Sequence, residues 1–266
     1  MNSASPVPVE PSHAPPLLNP QPPPAEVAAA PAGTWPAGND RFGRTYGPMG
    51  GAGGVGATVD AVLKQPGRAT FELVEGRAGR TAAALAAVAA ACLLLYGLVM
   101  GSFAGGEQLW RVPLKVLGGT FAAALICLPS LYILVSLAGG TQSLAQTAGL
   151  LLQSLTLNAL LLLGFAPIAW IFAQATQTTV FMGWLHLTIW LVAVGFSLDL
   201  LRRAMAFLNR GRMGRVVGFW GVVFFVVLLQ MSTTLRPLVG KGDAFWTGGR
   251  LFFLEHWGRC FNNPKP

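Results

Sequence analysis

The sequence predicts an all-α fold, a polytopic bundle of about five transmembrane helices behind a disordered amino-terminal tail. Hydrophobic residues make up 53% of the 266 positions and charged residues only 11%, a composition typical of integral membrane proteins. Five apolar runs are each long enough to cross the hydrocarbon core, which takes about 20 residues of helix. A stretch with five arginines and no acid, Leu201–Arg215, separates the last two runs.

Two segments precede the first apolar run. Residues 1–56 are rich in Pro, Ala and Gly and hold too few bulky apolar residues to close a core, which predicts a disordered tail, read as a solvated linker rather than a docking site. Residues 57–80 interleave apolar and charged side chains and are interrupted at Pro66-Gly67. This pattern predicts an amphipathic approach segment that either lies at the membrane interface or packs as a cap on the membrane domain. Both alternatives remain open.

The membrane domain is predicted over residues 81–238. Pro129 lies near the middle of the second run and predicts a kink or a local break. The third run is longer than one span requires and contains Pro167, so it must tilt, bend or extend beyond the bilayer; the alternative is a hairpin, which would give six spans. The five runs are Thr81–Phe103, Leu114–Ala138, Ala145–Ala173, Thr179–Leu201 and Val216–Leu235.

Basic residues predict the orientation. Short arginine-rich loops stay cytoplasmic, which places the segment between the fourth and fifth runs inside, with the amino terminus. The basic residues just before the first run agree with this orientation. The carboxyl-terminal residues 239–266 are then outside, as an interfacial tail with aromatic residues at head-group depth. We expect the inner membrane of a bacterium. The topology determinants are Arg202, Arg203, Arg210, Arg212 and Arg215.

Polar residues inside the apolar runs are the candidate functional residues, because each is costly in lipid unless paired. Asp199 precedes Arg202 and Arg203 by three and four positions, which favours a local ion pair over a proton relay. His186 has no second ligand at metal-binding spacing and is interpreted as a hydrogen-bonded packing residue. Gln153 and Asn158 are interpreted as hydrogen-bond donors to neighbouring helices, with a polar path as the alternative.

Motifs for cofactors, metals and catalysis are not indicated. The three cysteines have no metal or redox spacing. The run Gly51–Gly56, GAGGVG, matches a dinucleotide fingerprint but follows no apolar strand. The net charge of +8 is explained by orientation signals beside the apolar runs, so we expect no nucleic-acid partner. The prediction is therefore a protein without catalytic residues or cofactor.

Two short motifs carry a resemblance. The run Ala123–Leu134, AALICLPSLYIL, and the run Gln230–Gly240, QMSTTLRPLVG, resemble an uncharacterised family of bacterial multi-span membrane proteins in which Leu-Arg-Pro closes the last helix. The five-span layout is also similar to the Yip-type membrane domain. The resemblance brings no activity or catalytic residues with it. Arg236 is interpreted as part of a helix terminator, since Pro237 cannot continue the helix.

These observations favour a non-enzymatic scaffold or membrane-organising component. The alternative is a small transporter or channel, in which Pro129 and Pro167 break helices around a polar pocket. That pocket would contain Gln153, Thr156, Asn158 and His186. The expected partners are the lipid bilayer and, through small residues such as Gly118 and Gly119, a second copy or another membrane protein.

Overall fold

A computed structural model describes residues 54–75, 78–176, 178–209 and 213–234. Within these ranges every regular element is a helix, which confirms the all-α prediction. The predicted tails lie outside the described residues, except that the first helix already begins at Val55. The helices are α1 (Val55–Lys64), α2 (Pro66–Val74), α3 (Ala78–Ala104), α4 (Gln108–Leu137), α5 (Leu144–Ala175), α6 (Thr179–Leu208) and α7 (Gly214–Thr234).

Five of the helices, α3 to α7, are long and apolar enough to cross a membrane. The chain is an integral membrane protein with the predicted number of spans. The third apolar run forms the single helix α5, so the hairpin alternative is wrong. At 1.5 Å per residue, its 32 residues extend about 48 Å, more than the roughly 30 Å hydrocarbon core requires.

Prolines do not interrupt the spans. Helix α4 continues through Pro113 and Pro129, and α5 continues through Pro167. Each proline removes one backbone donor and leaves one carbonyl to be satisfied locally or by a neighbour, which a packed membrane helix tolerates. Of the kink or local break predicted at Pro129, the break is therefore absent.

Two helix boundaries differ from the prediction by more than five residues. Helix α4 begins at Gln108 rather than Leu114, so Lys115 lies about two turns inside the helix rather than at its start. Helix α6 continues to Leu208 and includes Arg202 and Arg203, which the sequence had assigned to a loop. Ion pairs to Asp199 let both arginines stay helical, and long basic side chains reach polar surroundings from the last turns of a span. The connection between α6 and α7 is reduced to residues 209–213.

The five spans form a closed ring in which neighbours in space are not always neighbours in sequence. Helix α5 packs against α3 and α6, α4 packs against α3 and α7, and α6 packs against α7. We call the end with connections 138–143 and 209–213 the proximal end, and the end with connections 105–107 and 176–178 the distal end. A ring of five alternating helices must contain at least one parallel pair, and here the one such pair of neighbours is α3 and α5.

Helices α1 and α2 pack on the parallel pair at its proximal end. Val62, Ala69 and Leu73 are buried together with Leu85 of α3 in one apolar cluster. This supports the packed-cap alternative for the approach segment. The opposite side of α1 carries an exposed ion pair, in which Lys64 Nζ lies 2.6 Å from Asp60 Oδ1. The hydrogen bond and charge of Asp60 raise the Lys64 pKa above its ordinary value.

Helices α3 and α4 approach each other most closely at two glycines of α3. A Cβ atom added to Gly97 would lie 2.5 Å from Pro113 Cα, and one added to Gly101 would lie 2.7 Å from the Gln108 carbonyl oxygen. The spacing is that of the small-xxx-small motif, which lets membrane helices pack backbone against backbone. These small residues therefore serve contacts within the chain, whereas Gly118 faces open space.

Candidate functional site: polar side chains inside the bundle

A tyrosine and a histidine form a buried polar contact between two of the described spans. Tyr96 of α3 and His186 of α6 are 0% and 3% exposed. The Tyr96 hydroxyl lies 2.8 Å from His186 Nδ1, and the two rings meet edge to face with centroids 5.7 Å apart. The predicted hydrogen-bonded packing role of His186 matches this geometry, and Tyr96 is its partner.

The tautomer of His186 decides which of the two groups donates in this hydrogen bond. The Nε2 atom of His186 is buried and has no hydrogen-bond partner among the described residues. The pair therefore leaves one buried ring nitrogen that can bind a small polar molecule such as water.

A buried lysine lies at a similar depth. Lys115 of α4 is 2% exposed and sits about two turns inside the distal end of its helix. Tyr96 and His186 lie about two turns inside the distal ends of α3 and α6. Three titratable side chains thus occupy one level of the bundle, on three different helices.

Gln153 joins α5 to the α1–α2 segment. Its Nε2 donates to the Pro66 carbonyl oxygen at 2.8 Å, and its Oε1 lies 3.1 Å from the Thr70 hydroxyl. Nearer the proximal end, Gln146 Nε2 donates to the Val74 carbonyl oxygen at 3.0 Å. The same Gln146 side chain completes a capping box with Ser143 at the start of α5. The two glutamines therefore hold both ends of α2.

Other polar residues of α5 reach different helices. The Thr156 hydroxyl lies 3.1 Å from the Leu85 carbonyl oxygen of α3, and Ser154 donates to the Ser197 carbonyl oxygen of α6 at 2.7 Å. Asn158 is 2% exposed, and its Oδ1 finds no hydrogen-bond donor among the described residues. Ser154 and Thr156 therefore form helix-to-helix bonds, as the sequence favoured for Gln153, and Thr156 also lies 2.8 Å from the Leu152 carbonyl oxygen of its own helix.

Asp199 forms the predicted ion pair. Its Oδ1 lies 2.6 Å from an Arg202 terminal nitrogen and its Oδ2 lies 2.5 Å from Arg203 Nε. All three residues belong to α6, and the contacts have the i,i+3 and i,i+4 spacing of a helix surface. Arg202 and Arg215 are exposed, and Arg203 is partly buried. Arg210, Arg212 and Arg236 lie outside the described residues.

The predicted polar residues do not share one set of contacts. Gln153 bonds to α2, Thr156 to the α3 backbone, and His186 to Tyr96. Among the described residues, no three His, Cys, Asp or Glu side chains form a group that could hold a metal ion. The arrangement can bridge helices and can offer isolated polar atoms to small ligands.

Sequence reasoning missed Tyr96 and Lys115. Tyr96 is the only tyrosine of the first run, and a membrane-embedded hydroxyl needs a partner just as an amide does. Lys115 is the second residue of the predicted run Leu114–Ala138, and it was not considered as a buried polar residue there. The predicted run began after Pro113, although proline is tolerated in the early turns of a helix.

Comparisons of the chain with models of known protein families, with characterised proteins and with solved structures found no match.

Proposed function

We propose that the protein is a non-enzymatic scaffold or membrane-organising component of a bacterial inner membrane. One observation carries the proposal: three neighbouring polar side chains of α5 form hydrogen bonds to other helices. Gln153, Ser154 and Thr156 each bond to a different helix. Such bonds contribute about 1 kcal/mol or less each in membranes, and they specify packing rather than a path for substrate.

The continuous helices support the same proposal. Transporter binding sites are commonly built from helices that are interrupted near the middle of the membrane. Here α4 and α5 run without interruption through Pro129 and Pro167.

The proposed orientation places the proximal end in the cytoplasm. Arg80, Arg202, Arg203 and Arg215 lie at the proximal ends of their helices, where basic residues are retained on the cytoplasmic side. At the distal end, the connection 105–107 carries Glu107, which pairs with Arg111. The greater number of basic residues at the proximal end supports its placement in the cytoplasm.

A thiol-accessibility experiment tests both parts. Cys92 and Cys127 are buried and can be replaced by alanine, which leaves Cys260 to report on the carboxyl-terminal tail. In a background without any cysteine, single cysteines at Asn158 and His186 report on the interior, and one at Asn209 reports on the proximal connection. Intact cells and inverted vesicles are treated with a membrane-impermeant thiol reagent.

The scaffold predicts protection at positions 158 and 186 from both sides. Asn209→Cys should label only in inverted vesicles and Cys260 only in intact cells. A buried apolar position, Ala159 at 0% exposure, is the matched negative control. Labelling at 158 or 186 well above that at 159 would refute the packed interior. Labelling of Asn209→Cys in intact cells would refute the orientation.

A small transporter or channel is the second candidate. The observation that favours it is that Tyr96, Lys115 and His186 are all buried about two turns inside the distal end of the bundle. Buried ionisable groups in spans commonly mark ion or proton pathways. In proteoliposomes, this function predicts a proton or ion flux that His186→Ala abolishes and Thr188→Ala leaves unchanged. Thr188 is a suitable control, since it is exposed and bonds only within its own helix.

A further inference from the structure

A groove runs along the surface between α6 and α7. It has a volume of about 350 Å³ and is lined largely by apolar side chains. Three glycines, Gly195, Gly218 and Gly221, line the groove, and the Leu198 side chain fills the space beside Gly221. A Cβ atom added to Gly195 would meet no other atom within 4 Å. The apolar walls are formed by Leu191, Val194, Leu198, Val217, Val222 and Phe225.

The proximal end of the groove is charged. Arg202 and Asp199 are part of its lining, and the Arg202 side chain lies across Gly218, 4.0 Å from the position of an added Cβ atom. Arg202 gives one terminal nitrogen to Asp199, and a guanidinium group has five N–H donors in all. Its side chain is 49% exposed, so part of it is accessible to a ligand.

The charge at this end is positive. Asp199 supplies one negative charge, whereas Arg202 and Arg203 supply two positive charges within bonding distance of it. Arg215 is exposed in the first turn of α7. An apolar slot that ends in excess positive charge at the end of two spans has the amphipathic pattern of a phospholipid with an anionic head group.

We propose that the groove between α6 and α7 binds an anionic glycerophospholipid, with an acyl chain between the helices and the phosphate at Arg202. The proposal does not depend on the scaffold function, because a transporter of the same structure would carry the same groove.

The volume of the groove suits a small ligand. About 350 Å³ is within the size range of small-molecule sites, about 300–1,000 Å³, and the groove faces the region where acyl chains surround the spans.

Native mass spectrometry of the full-length protein tests the proposal. The protein is purified in detergent and incubated with equimolar phosphatidylglycerol and phosphatidylcholine of identical acyl chains. Gly195→Leu fills the groove, and Gly164→Leu is its matched control, since Gly164 is also exposed with open space around it but lies on α5. Arg202→Gln removes the head-group contact, and Arg80→Gln makes the same charge change on α3.

The expected result is retention of phosphatidylglycerol in preference to phosphatidylcholine. Arg202→Gln should lower that preference about five-fold, the effect of one basic residue near a membrane surface. Gly195→Leu should abolish retention of the lipid, and both control variants should behave as the wild type. Equal retention of the two lipids, or of neither, would overturn the proposal.

Two further outcomes would also overturn it. Gly164→Leu could lose lipid as fully as Gly195→Leu, which would show that retention is not specific to the groove. Alternatively, Gly195→Leu could change the oligomeric mass and leave lipid retention intact, which would assign the groove to a second copy of the chain.

Discussion

Replacing Gly97 by alanine tests how tightly α3 and α4 pack. The added Cβ atom would stand 2.5 Å from Pro113 Cα, 3.0 Å from its nitrogen and 3.2 Å from its Cβ. Carbon atoms in contact normally lie about 3.5–4.0 Å apart, so the helices must separate locally by about 1 Å. The obstacle is a proline backbone inside a helix, which cannot rotate away as a flexible side chain would.

The expected cost is an overpacking penalty reduced by helix propensity. Overpacking costs about 1–3 kcal/mol, and alanine is favoured over glycine in a helix by about 1 kcal/mol. We therefore expect Gly97→Ala to lower the free energy of unfolding by up to about 2 kcal/mol. The measurement is reversible unfolding in mixed micelles by titration with sodium dodecyl sulfate, followed by far-ultraviolet circular dichroism.

Gly118→Ala is the matched control, because it makes the same change on α4 where the added Cβ atom meets no atom within 4 Å. It should be neutral or stabilising. The difference between the two variants cancels the propensity term and isolates the contact. Equal unfolding free energies for the two variants would refute the close approach of α3 and α4.

Three further predictions concern contacts between elements. Trp220→Phe removes the indole donor 3.0 Å from Ser130 Oγ and should lower the unfolding free energy by about 1 kcal/mol; an unchanged value would show that α4 and α7 do not depend on this bond. Gln153→Leu removes both bonds to α2 and should speed amide hydrogen exchange in α2 about tenfold. Thr188→Ala is the neutral control, and equal exchange rates in the two variants would show that these bonds do not hold α2. Asp60→Asn should lower the Lys64 pKa, as measured by NMR of the lysine side chain. Because the folded-state pKa of Lys64 is raised, any stabilisation by this pair is present below the unfolded-state pKa of about 10.4. It is lost as the pH rises through the folded-state pKa. A Lys64 pKa that the substitution leaves unchanged would contradict the ion pair.

Much of the fold could be predicted from local patterns. The apolar runs identified five spans, since a helix in lipid must satisfy its own backbone and therefore needs an unbroken apolar stretch. The boundaries were less accurate where charged residues occur at helix ends. Arg202 and Arg203 looked like the start of a loop, yet they extend α6, because Asp199 on the preceding turn pairs with both.

The candidate site was predictable only in part. The pairing of Asp199 follows from its spacing to the arginines within one helix. The partner of His186 is 90 positions away in the sequence, and no local pattern indicates which helix faces it. The bond from Gln153 to Pro66 of α2 joins residues 87 positions apart. The sequence predicted a bond from Gln153 to a neighbouring helix but not which helix.

Composition and hydropathy alone determined that this chain is a membrane-embedded helical bundle with five spans, because the cost of an unpaired backbone in lipid leaves few other solutions. Only the tertiary structure decided the order of the helices around the ring, the parallel pairing of α3 and α5, and the α1–α2 cap on them. It also decided that the polar residues serve separate contacts rather than one pocket. The physical reason is that lipid is as apolar as the helix surfaces, so helix order depends on small residues and specific hydrogen bonds between distant positions.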